Sequence, residues 1–243
     1  MFNVNIMLVY LIVLVILFIV VYLLRTKIQN FANESQNYLT FMLEVLEKER
    51  LGESCAPMYM IFDANHRKNY PVGPLMPGKF FPDFLVKIIH KDWFGSDFLT
   101  SAASIEELAK KTGIDMEALQ GTIVKVNEYS KTGKDLDFQR GDNERDRFSG
   151  DQSLINPCLG PVDTAPFYAM RIDPGEFATC GGMVINENGQ VLDNDNQVIP
   201  GLYATGNCTP ALLTTYPGPG ATIGPAMTYG YISGKHINGS NQI

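Results

Sequence analysis

A chain of 243 residues holds one large domain or two small ones, and 45% hydrophobic with 19% charged residues excludes global disorder. A net charge of −7 with no long basic run excludes a nucleic-acid surface. Cys55, Cys158, Cys180 and Cys208 are scattered and form no C-x-x-C, and His66, His90 and His236 lie far apart, so the sequence reads as free thiols in a reducing compartment with no metal site.

Residues Ile6 to Leu24 are uncharged and almost wholly aliphatic. At a helical rise this run covers about 28 Å, near the thickness of a bilayer core. Arg25 and Lys27 follow it and no basic residue precedes it. The asymmetry predicts a single-pass transmembrane helix with the rest of the chain cytoplasmic. A cleaved signal peptide fits worse, because the basic n-region and the small-residue cleavage site are missing.

Next comes Phe31-Ala-Asn-Glu-Ser35, then Tyr38. Phe41, Met42, Val45 and Leu46 recur at helical spacing within Leu39 to Arg50, and Gly52 is a stop. Met58-Tyr-Met-Ile-Phe62 reads as a buried strand. Asp63 to Phe98 is rich in aromatics, prolines and glycines; its stretch Tyr70 to Gly78 excludes helix and suits a cap over a pocket. Ser104 and Glu107 form a capping box, Gly113 ends that helix, and Asp115 caps a second running from Met116 to about Ser130, with Leu119, Ile123, Val126 and Tyr129 on one face. Asp135 to Asp151 is charge-dense and reads as an irregular excursion. Phe167 to Ile172 is a strand halted by Pro174-Gly175. Gly182 to Asn186 and Gln190 to Asp193 read as strands joined by the turn Glu187-Asn188-Gly189, and Leu202 to Thr205 as a strand ending at Gly206-Asn207.

The stretch Tyr216-Pro-Gly-Pro-Gly-Ala-Thr-Ile-Gly-Pro225 is a stiff turn with a phenol at its mouth, and a helix pattern begins at Gly220 or Ala221 and runs to about His236. Free amides beside a phenol suit a carbonyl oxygen or the electron-rich edge of a cofactor.

Three stretches together carry a resemblance: Phe31-Ala-Asn-Glu-Ser with Tyr38, Gly181-Gly182-Met183 with Ile199-Pro-Gly-Leu-Tyr-Ala-Thr-Gly-Asn207, and Tyr216 to Met227. They resemble the C-terminal half of flavin-dependent 3-ketosteroid Δ1-dehydrogenases, in the fumarate reductase/succinate dehydrogenase flavoprotein group. The resemblance implies an α+β fold: a substrate-cap region at 57–165 and FAD-domain parts at 28–56 and 166–243, behind the membrane helix and basic flank of 1–27. It implies FAD as cofactor, a steroid or similar hydrophobic ketone as substrate, and desaturation between C1 and C2 of ring A. Tyr216 and Gly220 would hold the C3 carbonyl through a hydroxyl and an amide, and Tyr38 would take the C2 proton. Gly206, Asn207, Gly220, Ala221, Thr222 and Ile223 would contact the flavin.

The family's G-x-G-x-x-G after a first strand, which seats the FAD pyrophosphate, has no counterpart here. Three readings follow: a dehydrogenase incomplete without a separate N-terminal FAD-binding chain, a non-catalytic membrane-anchored remnant, or a related flavoprotein such as a Δ4-ketosteroid dehydrogenase or a fumarate reductase. The fumarate reductase branch resembles His-Thr-x-Gly-Gly, where this chain has Ala178-Thr179-Cys180-Gly181-Gly182 and no histidine precedes the glycines.

Overall fold

A computed structural model describes residues 22–25 (backbone only), 32–53, 55–94, 96–175, 178–179, 181–213, 218 and 220–239. The chain divides into two compact units, Met1–Pro174 and Gly175–Ile243.

The first unit is built on a four-stranded antiparallel sheet in the order β1-β2-β4-β3, with β1 at Tyr22–Arg25, β2 at Met58–Phe62, β3 at Leu99–Ala102 and β4 at Phe167–Ile172. Both faces of the two central strands are covered. Tyr59, Ile61 and Ala169 pack with Leu108, Ile114 and Leu119 on one face, contributed by α4 (Ile105–Thr112), α5 (Met116–Thr132) and the link between them. On the other, Phe62, Tyr168 and Met170 pack with Val72, Leu75 and Val86, the last from α3 (Asp83–Ile89), and Met58 packs with Phe41 and Val45 of α1 (Tyr38–Arg50). Burial on both faces explains why Met58–Phe62 is a continuous apolar run instead of an alternating one.

The expected caps are in place. Ser104 Oγ accepts from the Glu107 amide at 3.2 Å, while Glu107 reaches back to the Ala103 amide at 2.9 Å. Asp115 accepts from the Ala118 amide at 2.8 Å, and Gly113 and Gly133 close the two helices in the left-handed conformation. Asp63, wholly buried, caps the short α2 (Ala64–Asn69) and also accepts from the Asp163 and Thr164 amides, so one carboxylate fixes two chain segments.

Several expectations need correction. The membrane helix was expected to run through Leu24, but Tyr22–Arg25 is a strand paired with β2; residues 1–21 lie outside the described part. Among the described residues no helix is long and apolar enough to cross a membrane. The aromatic stretch after Asp63 contains α2 and α3, short helices that local pattern did not reveal. The irregular excursion expected at Asp135 to Asp151 holds one short helix, α6 at Glu144–Phe148, and is anchored by the buried Asp135, Arg140 and Asp146. The division between the two compact units falls after Pro174, and β4 pairs with β2 and β3 inside the first.

The second unit is a hairpin of β5 (Gln190–Leu192) and β6 (Val198–Tyr203), then a 3-10 turn at Gly206–Cys208 and the helix α7 (Ile223–Ile237). Of the strand expected at Gly182 to Asn186 only the Ile185–Val191 bridge forms, and the turn closes with the Gly189 amide on the Asn186 carbonyl.

Candidate functional site

The candidate residues fall in both units, and each group is built by its own neighbours. Tyr38 is the first residue of α1 and half-buried. Asn37 caps this helix, its side-chain oxygen accepting from the Thr40 amide at 3.0 Å. No acidic residue occupies the first turn, so the partial positive end of the helix stands unopposed beside the Tyr38 position.

The segment leading into α1 is clamped. Arg140, 2% exposed, donates from Nε to Glu34 at 2.6 Å, from one terminal nitrogen to the Ala32 carbonyl at 3.1 Å and from the other to Asp135. Asn33 donates to the buried Asp146 at 3.1 Å. Asp135 in turn accepts from the amides of Asp137 and Phe138, and the Arg140 carbonyl accepts from Asn156. Thus the Ala32-Asn33-Glu34 stretch is bound to residues more than a hundred positions later, through charge-assisted bonds in a dry setting. The sequence pointed to Tyr38 and missed Arg140, Asp135 and Asp146, whose spacing is ordinary for a polar loop.

In the second unit the elements around α7 are pinned along its length. Thr205 Oγ1 donates to the Ala226 carbonyl at 2.9 Å, and Thr209 closes the 3-10 turn on the Gly206 carbonyl at 2.7 Å. Gly206 has φ 75°, and a Cβ there would meet the Ala226 Cβ at 3.3 Å, so a glycine suits this close crossing. Toward the C-terminal end, Ser233 donates to the Asn188 carbonyl at 3.3 Å and the Tyr203 hydroxyl meets His236 Nδ1 at 2.7 Å. Gly206 and Asn207, the expected flavin contacts at a strand end, form the start of this turn.

The helix begins at Ile223, not at Gly220 or Ala221 as expected. Gly220 has φ 94° and faces open space, and its carbonyl accepts from the Gly224 amide at 2.8 Å. The Ala221 amide is not free for a ligand: it donates to the Gly218 carbonyl at 3.2 Å. Thr222 provides no side-chain cap, and the amides of Gly220, Thr222 and Ile223 donate to no described residue. Pro225 has no amide to leave unsatisfied in this first turn. Among the described residues these amides have no acceptor, and they stand at the positive end of a 15-residue helix, which fits the electron-rich edge of a flavin. Tyr216 lies outside the described residues. The chain holds no glycine fingerprint for the pyrophosphate.

The chain is similar to known proteins. The chain is 40% identical over 188 residues to the 3-oxosteroid 1-dehydrogenase of Comamonas testosteroni, covering 77% of this chain and 32% of that one. It is 37% identical over 216 residues to the 4-oxocyclohexanecarboxylate 2-dehydrogenase of Sinomonas cyclohexanicum, covering 87% and 35%. The crystal structure of 3-ketosteroid delta1-dehydrogenase from Sterolibacterium denitrificans in complex with 1,4-androstadiene-3,17-dione superposes with a TM-score of 0.81 at 38% identity, over 92% of this chain and 39% of that one. The chain thus spans about a third of the length of the curated relatives it matches. Residues 20–223 match the profile of the FAD binding domain, whose cofactor is FAD, and the chain belongs to that family.

Proposed function

We propose that this chain supplies the ketone-binding surface and part of the flavin-binding surface of a dehydrogenase that desaturates the carbon–carbon bond next to a ring ketone, with C1–C2 of a 3-ketosteroid as the bond oxidised. The observation that carries this reading is the 40% identity with a 3-oxosteroid 1-dehydrogenase across 77% of the chain. The Gly220 amide, at the open turn before α7, and the Tyr216 hydroxyl donate to the ketone oxygen and stabilise the enolate charge that develops there. That polarisation acidifies the neighbouring C2–H, and Tyr38, at the N-terminal end of α1, accepts the proton. FAD, when bound, supplies the acceptor for the hydride that leaves C1. Gly206, Asn207 and the Thr222 and Ile223 amides would hold the flavin. The family's remaining length, on the same polypeptide or another, would seat its pyrophosphate.

The test is a chimera in which residues 32–239 replace the matching stretch of the Comamonas relative. We expect flavin to be retained and a 3-ketosteroid to be turned over, with Tyr216→Phe lowering kcat by about 100-fold or more, the usual cost of one oxyanion donor. A chimera that keeps flavin but leaves the steroid unchanged overturns the reading. The similarity to a 4-oxocyclohexanecarboxylate 2-dehydrogenase favours a second one, a monocyclic ketone as substrate. A kcat/KM for that acid above the value for the steroid would establish it.

A further inference from the structure

The segment from Met76 to Lys91 departs from the rest of the first unit in carrying large apolar side chains outward. Phe80 is 71% exposed, Phe84 63%, Ile88 71% and Ile89 59%, while the opposite side of α3 buries Val86 completely. Phe84 and Ile88 are one helical turn apart, and Phe80 precedes them by the same spacing. This is not slack chain. Arg67, 3% exposed, donates to the carbonyls of Met76 at 2.6 Å and Phe81 at 3.0 Å and pairs with Asp83 at 2.8 Å. Tyr168 of β4 donates to the same Asp83 at 2.8 Å. The outward residues are thus held on a scaffold tied to the sheet.

Charge around this face runs against the charge of the chain. Between Asp63 and Asp92 five cationic side chains (Arg67, Lys68, Lys79, Lys87 and Lys91) stand against three aspartates, the buried Asp63, Asp83 and the exposed Asp92, in a chain of net charge −7. Arg67 and Asp83 neutralise each other, which leaves four exposed lysines at the rim. The ammonium groups of Lys79 and Lys87 lie over the Phe80 and Phe94 rings at 5.2 and 5.0 Å, so their stems run along apolar surface. Beside the face opens a cavity of about 600 Å³, with Lys87, Lys91 and Lys111 on its wall together with Ser96, Thr100 and Ser101. Lys111 is shared with Glu107 at 2.8 Å, and Asp97 also lines the cavity.

We propose that this face docks on the surface of an anionic phospholipid bilayer: Phe80, Phe84, Ile88 and Ile89 enter the headgroup–acyl boundary, and Lys79, Lys87 and Lys91 face the lipid phosphates. A short apolar face framed by lysines is the pattern of an interfacial contact, in which apolar burial and attraction to anionic headgroups add. The contact is separate from the aliphatic run at Ile6 to Leu24, and it does not depend on the catalytic reading, since neither Tyr38 nor the α7 turn takes part.

The chain carries its own probe. Trp93 is its one tryptophan, half-buried and stacked on His90 at 3.9 Å, two residues beyond Lys91. Full-length protein is mixed with vesicles of phosphatidylcholine alone, or with phosphatidylglycerol added, and the latter brominated in a parallel set. We expect Trp93 emission to shift to the blue and to be quenched by brominated phosphatidylglycerol, with both effects reversed by high salt. Lys87→Glu with Lys91→Glu should weaken partitioning on the order of 25-fold or more, since each lysine near an anionic surface contributes about a factor of five. Phe84→Ser with Ile88→Ser should abolish the quenching, and thermal unfolding of the same variants reports whether the first unit remains folded. Equal response to both vesicle types, or quenching that survives the lysine reversals, overturns the proposal and leaves the aliphatic run as the contact. No response to any vesicle overturns it in favour of a covering polypeptide. A Trp93 shift with inorganic phosphate and no lipid overturns it in favour of a soluble anion site.

Discussion

The two units differ in how much of their apolar surface they bury themselves. In the first, Val45, Met58, Ile61, Phe62, Leu99, Leu108, Leu119 and Met170 are all at most 1% exposed, and both sheet faces are covered. In the second, Val191 and Ala204 are the buried hydrophobic residues among those described, while Ile199 and Leu202 of β6 and Ile223, Met227 and Tyr231 of α7 are exposed. The first unit has a core of its own. The second keeps its shape through polar clamps such as Thr205 on Ala226 and Tyr203 on His236. The apolar faces left open on the second unit are of the kind that a further packed surface covers.

Three measurements can break or sharpen that contrast. The largest effect is expected at Arg140. Arg140→Met leaves Glu34 and Asp135 without their buried cation, and should cost about 3–5 kcal/mol of the first unit's stability in urea unfolding. A loss below 1 kcal/mol would mean that the clamp on the Tyr38 segment is cosmetic. Next comes a matched pair of truncations. Leu108→Ala, at a fully buried site, should cost about 2–5 kcal/mol, whereas Leu202→Ala in β6 should stay within about 0.5 kcal/mol. Similar costs at both sites would erase the distinction between the units.

The third measurement is a pH dependence expected from the first unit. Burial lowers the His66 pKa from 6.5 to about 4, and its ring sits against Phe62 and Tyr70 with Nε2 lacking a partner among the described residues. The folded state therefore takes up the proton less readily than the unfolded chain. Its contribution is fully present above pH 6.5 and is lost as pH falls toward about 4, by up to about 1.4 kcal/mol for each unit of pH. His66→Phe should flatten the dependence measured by denaturant midpoints across that range. An unchanged slope would assign it to other groups.

What was readable in advance was local. Ser104, Glu107, Gly113 and Asp115 mark their helix ends because each acts on backbone groups three or four residues away. The Gly189 turn is of the same kind, its amide closing on the Asn186 carbonyl. Misjudged features had their cause at a distance. Helix α3 depends on Asp83 being held by Arg67 and Tyr168, which no window around residue 83 contains. The burial of Arg140 within the charge-dense stretch is set by Glu34 and Ala32, its partners more than a hundred residues earlier.

By itself, then, the sequence determined where chain segments turn and cap, which strands carry buried runs, and which family the chain belongs to. Those properties rest on backbone geometry and side-chain type over a few residues. Tertiary structure alone decided that β4 joins the first unit, that Arg140 is buried and holds the approach to Tyr38, and that Ala221 spends its amide inside the turn. Each of these depends on which polar group finds a partner once the chain has closed, and a polar side chain has the same letter in the sequence whether water or a distant carboxylate satisfies it.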